Sequence, residues 1–364
     1  MNLNAFTPGV LIYTLYLFLL LLTTLGRYNK SNKENLPVFI FFVVLQIFMC
    51  GLRSYTVGSD TGSYVYQIRY LSDFSTSEIL SNPNINEPFF YIFTKFITEI
   101  NHSYTFLFFV MGLLWWIFVA GALYRNSKSC LISLVILELF KSNYLMWSGM
   151  RQGMAMAIIL ASFKYLESRK MVKCMGVVFL ASLFHESALL FIPVYFIHNL
   201  KLNKPKWMIG LLAVSLVAAF ILPDVDIGGE SMTYSNYIQA DGMGNYYSFI
   251  VGVLAFAFIV YSVAIVGLND RNNLLFTLSM FAMMTTLMGM NISIAYRISD
   301  YFRLFMALLI ANLVMERKAK KNTVIIISLV VLLIFILTGM PVDLDNYQFF
   351  WETNFMDYEY RMLH

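Results

Sequence analysis

Long apolar runs recur along the whole chain, each closed by a short polar stretch. The runs are Pro8–Leu25, Pro37–Leu52, Thr105–Tyr124, Cys130–Ser148, one ending near Tyr165, Met175–Phe184, Ser187–Leu200, Trp207–Leu222, Tyr246–Leu268, Leu274–Met290, Ile294–Val314 and Thr323–Met340. A membrane-crossing helix takes about 20 apolar residues. The pattern therefore predicts an all-α, polytopic membrane protein of about twelve transmembrane helices. Met175–Phe184 and Ser187–Leu200 are short for crossings, and a tilted or partly re-entrant hairpin fits them as well. Glu87–Ile100 is apolar but only about 14 residues long and bounded by charges, which suits an interfacial or re-entrant helix.

Charge sets the sides. Basic residues mark cytoplasmic loops, and here they cluster in alternate loops. The clusters are Arg27, Lys30 and Lys33; Arg125 and Lys128; Arg169, Lys170 and Lys173; Lys201, Lys204 and Lys206; Arg271; and Arg317, Lys318, Lys320 and Lys321. These are most of the chain's 25 basic residues. Counting Glu87–Ile100 as a crossing would invert every later loop and break the alternation. The expectation is a single integral membrane domain over residues 1–364 with both termini outside. Outer loops span 53–104 and 223–245, and an outer tail spans 341–364. Met1–Thr24 lacks a basic leader and a small-residue cleavage pattern, so it reads as the first crossing and not as a signal peptide.

Composition agrees: 59% of residues are hydrophobic and 13% charged, against about 25% charged in a soluble domain. The net charge of +4 is small, and no basic patch lies outside the short loops, which excludes nucleic acid as a partner. Cys50, Cys130 and Cys174 lie in or beside apolar runs and read as packing residues. His102, His185, His198 and His364 are scattered, and no phosphate loop, dinucleotide fingerprint or nucleophile elbow appears. No metal and no cofactor is expected.

The chemistry sits where the charge rule is broken. Arg53, Arg69, Arg151, Arg297 and Arg303 fall near the outer ends of crossings. Any one of them fits snorkelling to headgroups, or pairing with an acid such as Asp300, as well as it fits a functional role. Four of them, Arg53, Arg151, Arg297 and Arg303, are expected to share one face and to bind a diphosphate, because arginine grips phosphate oxygens with two parallel N–H groups. Arg53 opens a turn-rich stretch, Gly58–Ser63, in which Gly58 and Gly62 allow positive φ and Asp60 is either a turn former or a base. His185, oriented by Glu186, is either a structural hydrogen-bonder or a general base near pH 7. Aromatic side chains gather in the outer segments, among them Tyr64, Tyr301, Tyr347 and Trp351. They fit either an interfacial belt or a sugar-binding surface. Glu138 and Lys141, three apart in one crossing, are expected to pair within the bilayer.

The ordered set of motifs resembles the EpsG/Wzy-type exopolysaccharide polymerases of bacterial inner membranes. The matching pieces are the Arg53–Tyr66 stretch, EPFFYIFTKFI at Glu87–Ile97, MRQGMAMAI at Met150–Ile158, LASLFHESALLFIP at Leu180–Pro193, YRISDYFRL at Tyr296–Leu304, and the aromatic tail. The second outer loop departs from any pattern of that family. The resemblance implies a multi-pass protein of the bacterial inner (cytoplasmic) membrane, a glycosyltransferase taking oligosaccharide repeats linked to undecaprenyl diphosphate. The growing glycan would pass from its lipid to a hydroxyl of the next repeat at the outer face. Expected partners are the lipid bilayer and, in the same pathway, a chain-length regulator and a flippase. In that reaction Arg53, Arg151, Arg297 and Arg303 would hold the leaving diphosphate. Asp60, or His185 with Glu186, would serve as base, while Tyr64, Tyr301, Tyr347 and Trp351 would meet sugar.

Other classes remain open. A lipid-linked oligosaccharide flippase or exporter also needs arginines, but spread through membrane depth. A ligase of the O-antigen type would share the outer arginines. A membrane O-acetyltransferase would need its histidine within reach of a cytoplasmic donor, contrary to the side expected for His185.

Overall fold

The computed structural model describes residues 8–83, 85–197, 200, 202–221, 242–289, 292–316, 321–327, 329–330 and 347–352. Outside these lie His198, Lys201, most of the second outer loop, Arg317, Lys318, Lys320, most of the last expected crossing, and the tail beyond Glu352, including His364.

Among the described residues the fold is helical, with one isolated antiparallel bridge between Arg53 and Phe349. The chain opens with α1 (Pro8–Arg27) and α2 (Asn32–Leu52). Their turn is fixed by a capping box, in which the Glu34 N–H donates to Ser31 Oγ and the Ser31 N–H donates to Glu34 Oε2. Where the sequence pattern suggested one interfacial helix, the long loop folds into three: α3 (Thr61–Tyr70), α4 (Thr76–Ser81) and α5 (Pro88–Ile100). α6 (Tyr104–Asn126) returns against α2. A Cβ at Gly112 would meet the Cys50 side chain at 2.9 Å, so this glycine is what lets the two helices approach so closely.

The expected crossing Cys130–Ser148 is broken. α7 (Cys130–Leu139) and α8 (Ser142–Ser148) meet at a 56° bend, where Lys141 takes a left-handed backbone (φ 53°). Glu138, just before the break, is buried. Its oxygens accept bonds from Tyr13 (2.7 Å) and Tyr16 (2.9 Å) of α1, Gln46 (3.0 Å) of α2 and Asn143 (3.0 Å) of α8. A buried carboxylate persists only when its lone pairs are satisfied. This knot therefore fixes the bend and ties three helices to it.

α9 (Met150–Ala161) and α10 (Phe163–Glu167) follow, then α11 (Met171–Ser182), a 3-10 segment (Glu186–Phe191) and α12 (Ile192–Ile197). α13 (Pro205–Ile221), α14 (Gly242–Val266), α15 (Asp270–Met288) and α16 (Ser293–Glu316) follow, and residues 321–327 are helical as well. α16 runs through the centre of the bundle, packed on α7, α9, α14 and α15.

Among the described residues, five helices are long and apolar enough to cross a membrane: Pro8–Arg27, Asn32–Leu52, Tyr104–Asn126, Phe249–Val266 and Ala295–Glu316. The bent α7–α8 pair makes a sixth if taken as one crossing. The chain is a multi-pass membrane protein. Several of the other runs in the twelve-crossing reading fold as shorter helices, among them α11, α13 and the Glu186–Ile197 pair. A sequence window cannot see the breaks that divide them.

Candidate functional site

Glu87 is the organising residue. It caps α5 with a left-handed backbone (φ 59°, ψ 55°) ahead of Pro88. That conformation is uncommon for a residue with a Cβ and needs support from its surroundings. The support is polar. Glu87 Oε2 lies 2.8 Å from Arg151 Nη1, Oε1 meets His185 Nδ1, and the Glu186 N–H donates to Oε1 at 2.9 Å. One carboxylate thus joins the first turn of α9, the turn after α11 and the start of α5.

Burial alone would push the pKa of the Glu87 carboxyl up. The His185 hydrogen bond, the positive charges of His185 and Arg151, and the Glu186 amide outweigh it and leave Glu87 below its ordinary value. When the His185 imidazole is neutral, its Nδ1–H donates to this carboxylate and Nε2 is the acceptor nitrogen.

Arg151 is held from two sides. Its Nε donates to the Tyr64 hydroxyl at 3.4 Å, and its guanidinium carbon lies 5.6 Å from the centre of the Tyr64 ring. The Arg151 side chain remains 28% exposed. Next to it, Gln152 Nε2 donates to the Arg297 carbonyl at 2.8 Å, bringing the first turn of α16 to the same place. On the other flank the hydroxyls of Ser187 and Tyr301 are 2.9 Å apart.

The remaining arginines sit deeper. Arg53 is fully buried. Its Nη1 donates to the Cys50 carbonyl (2.6 Å) and its Nη2 to the Trp147 carbonyl (3.0 Å), and its guanidinium lies 3.9 Å from the centre of the Phe108 ring. Arg303 is buried too, with Nη1 3.1 Å from Asp300 and Nη2 3.1 Å from Thr286. The geometry gathers Arg151, with the Arg297 backbone beside it, at the Glu87 cluster. It sets Arg53 and Arg303 into helix packing, where they hold backbone and acid.

Asp60 precedes α3 without a side-chain capping bond, and its carbonyl accepts the Tyr64 N–H at 3.0 Å. Gly58 has the positive φ expected (98°), and a Cβ there would press on Thr61 Oγ1 and the Trp147 carbonyl. Gly62 does not; it lies inside α3, where Thr61 Oγ1 anchors the first turn to the Trp147 carbonyl at 2.8 Å. Of the aromatic side chains, Tyr64, Tyr301 and Tyr347 are buried. The Tyr347 hydroxyl donates to the Met49 carbonyl at 2.6 Å and its ring packs on Trp147. Trp351 is exposed and stacks on Phe349.

Sequence reasoning passed over Glu87 as a site residue and assigned Glu186 to His185. In the structure Glu186 meets Glu87 through its backbone N–H. The available signal was an acid directly before a proline at the head of an amphipathic segment, in a loop otherwise poor in apolar residues.

A family model described as the EpsG family matches residues 36–358. No curated protein and no solved structure matches the chain.

Proposed function

The chain belongs to the EpsG family, membrane proteins of polysaccharide biosynthesis, and on that premise we propose that it polymerises lipid-linked oligosaccharide repeats at the outer face of a bacterial inner membrane. The observation that carries the reading is Glu87 bridging Arg151 and His185. A cation suited to a diphosphate and a nitrogen base stand beside each other, joined by one buried acid.

In the proposed reaction His185 Nε2 takes the proton of an acceptor hydroxyl. The oxygen then attacks the anomeric carbon of the donor glycan, and the bond from that carbon to the diphosphate oxygen breaks. Undecaprenyl diphosphate departs with the bonding electrons. Arg151, with Arg297 approaching from α16, stabilises the negative charge that develops on it. Glu87 holds the imidazole tautomer and steadies the imidazolium that forms, as the acid of a catalytic triad does. Arg53 and Arg303 act one layer out, fixing the loop before α3 and the first turns of α16. Asp60 is the alternative base.

The test is a reaction of purified protein with a repeat unit on a polyprenyl diphosphate, scored as a ladder of products. Growth of a ladder supports polymerisation. Labelled substrate crossing the bilayer of a proteoliposome with no ladder supports a flippase instead.

A further inference from the structure

The outward face of α3 carries a feature that the transfer chemistry leaves unused. Tyr66 and Tyr70, one helical turn apart, are 43% and 58% exposed. Their rings are parallel within 10°, with centroids 6.5 Å apart, and the half-buried Phe74 ring flanks Tyr70 at 5.2 Å with a 50° tilt. The opposite face of α3, with Tyr64, Val65 and Ile68, is buried, as is Leu71 just after it, so the helix is pinned and the row is presented in a fixed orientation.

We propose that Tyr66, Tyr70 and Phe74 form a glycan-binding platform that holds the growing polymer beside the transfer site; this rests on the polymerase reading above. Flat aromatic faces pack on the C–H surfaces of sugar rings, while tyrosine tips and neighbouring polar groups bond their hydroxyls. Both parts are present, because Ser63, Gln67, Arg69, Ser72 and Asp73 are exposed around the row. That composition separates it from a membrane belt. The lipid-suited face in this region is on α5, where Phe89, Phe96 and Ile100 are exposed.

The row is also continuous with the site. Tyr64, on the inward side of α3, contacts Arg151, and Gln67, on its rim, accepts a bond from the Tyr91 hydroxyl of α5. A chain leaving the Arg151–His185 cluster over that rim meets the row of Tyr66 and Tyr70. Such a platform slows release of the product between additions, so it governs polymer length more than the rate of one transfer.

The test compares wild type with a Tyr66→Leu/Tyr70→Leu pair, which keeps apolar bulk but loses the aromatic faces, and with a Tyr66→Phe/Tyr70→Phe pair, which keeps them. One readout is the rate of a single transfer between two lipid-diphosphate-linked repeats; the other is product length. The expected result is that the leucine pair makes the single transfer at close to the wild-type rate yet yields markedly shorter polymer, while the phenylalanine pair yields normal lengths. Unchanged length in the leucine pair overturns the platform. If even wild type transfers nothing, it is the polymerase reading that fails, and binding then decides the platform. Short lipid-free oligosaccharides cut from the polymer of cells expressing the chain should bind wild type and the phenylalanine pair, and bind the leucine pair about tenfold more weakly. Equal binding by all three overturns it.

Discussion

Glu87 Oε2 lies 2.8 Å from Arg151 Nη1, across a gap of more than sixty positions in sequence. The same carboxylate meets His185 through its other oxygen. Glu87→Gln removes the charge that holds Arg151 and sets an amide N–H against either Arg151 or His185, both of which need an acceptor there. Transfer is expected to fall by about 10²-fold or more through kcat. Steady-state transfer kinetics check this. A fall in protein yield with normal kcat would mean that Glu87 is purely structural.

Acid sensitivity follows from the same residue. The Glu87 carboxyl sits below its ordinary value of 4.5 in the folded protein. The folded state thus binds this proton less readily than the unfolded one, so the contribution to stability is fully present above pH 4.5. It is lost as pH falls through the lower, folded value. Thermal unfolding in detergent should show wild type losing Tm in that acid window, with Glu87→Gln losing less.

The two base candidates separate by substitution. His185 has its Nδ1 fixed by Glu87, the carboxylate that also holds Arg151, whereas Asp60 stands at the head of α3. His185→Ala is expected to lower transfer by about 10²–10⁴-fold, and Asp60→Asn to leave it within about an order of magnitude. Single-turnover rates at saturating donor read the difference. The reverse order would move the base to Asp60.

Glu138 is a stability prediction. Glu138→Ala leaves Tyr13, Tyr16, Gln46 and Asn143 without their shared acceptor at the α7–α8 bend. Each orphaned donor costs about 1–3 kcal/mol before relaxation, so unfolding in detergent should occur at clearly lower temperature or denaturant. Gly58→Ala acts through backbone and contact together, at φ 98° and against Thr61 and the Trp147 carbonyl. Its expected cost is about 1–3 kcal/mol, measured the same way.

Much of the helix pattern was legible in the sequence, because apolar runs and basic loops are local signals. Pro8–Arg27, Asn32–Leu52 and Tyr104–Asn126 fold close to where the runs lie. The break at Lys141 was not legible, since nothing in Cys130–Ser148 is a strong helix breaker. The bend is held by donors that α1 and α2 bring from far along the chain. Arg151 and His185 stood out as charges at the ends of apolar runs, and the structure brings them together. Glu87 did not, because its role comes from α9 and the turn after α11 converging on it. Arg53 and Arg303 looked like Arg151 in sequence, yet they are buried against carbonyls and Asp300. Tyr347 looked like a surface ring and lies in the core. Which aromatic side chain faces outward depends on which way a short helix turns, and the loop pattern does not show that.

The most direct measurement is the release of polyprenyl diphosphate alongside glycan growth, followed in one reaction for wild type and Arg151→Ala at saturating donor. The account predicts that wild type releases one lipid diphosphate per repeat added, and that Arg151→Ala releases it about 10²-fold or more slowly. An Arg151→Ala protein that extends polymer at the wild-type rate and length would contradict it.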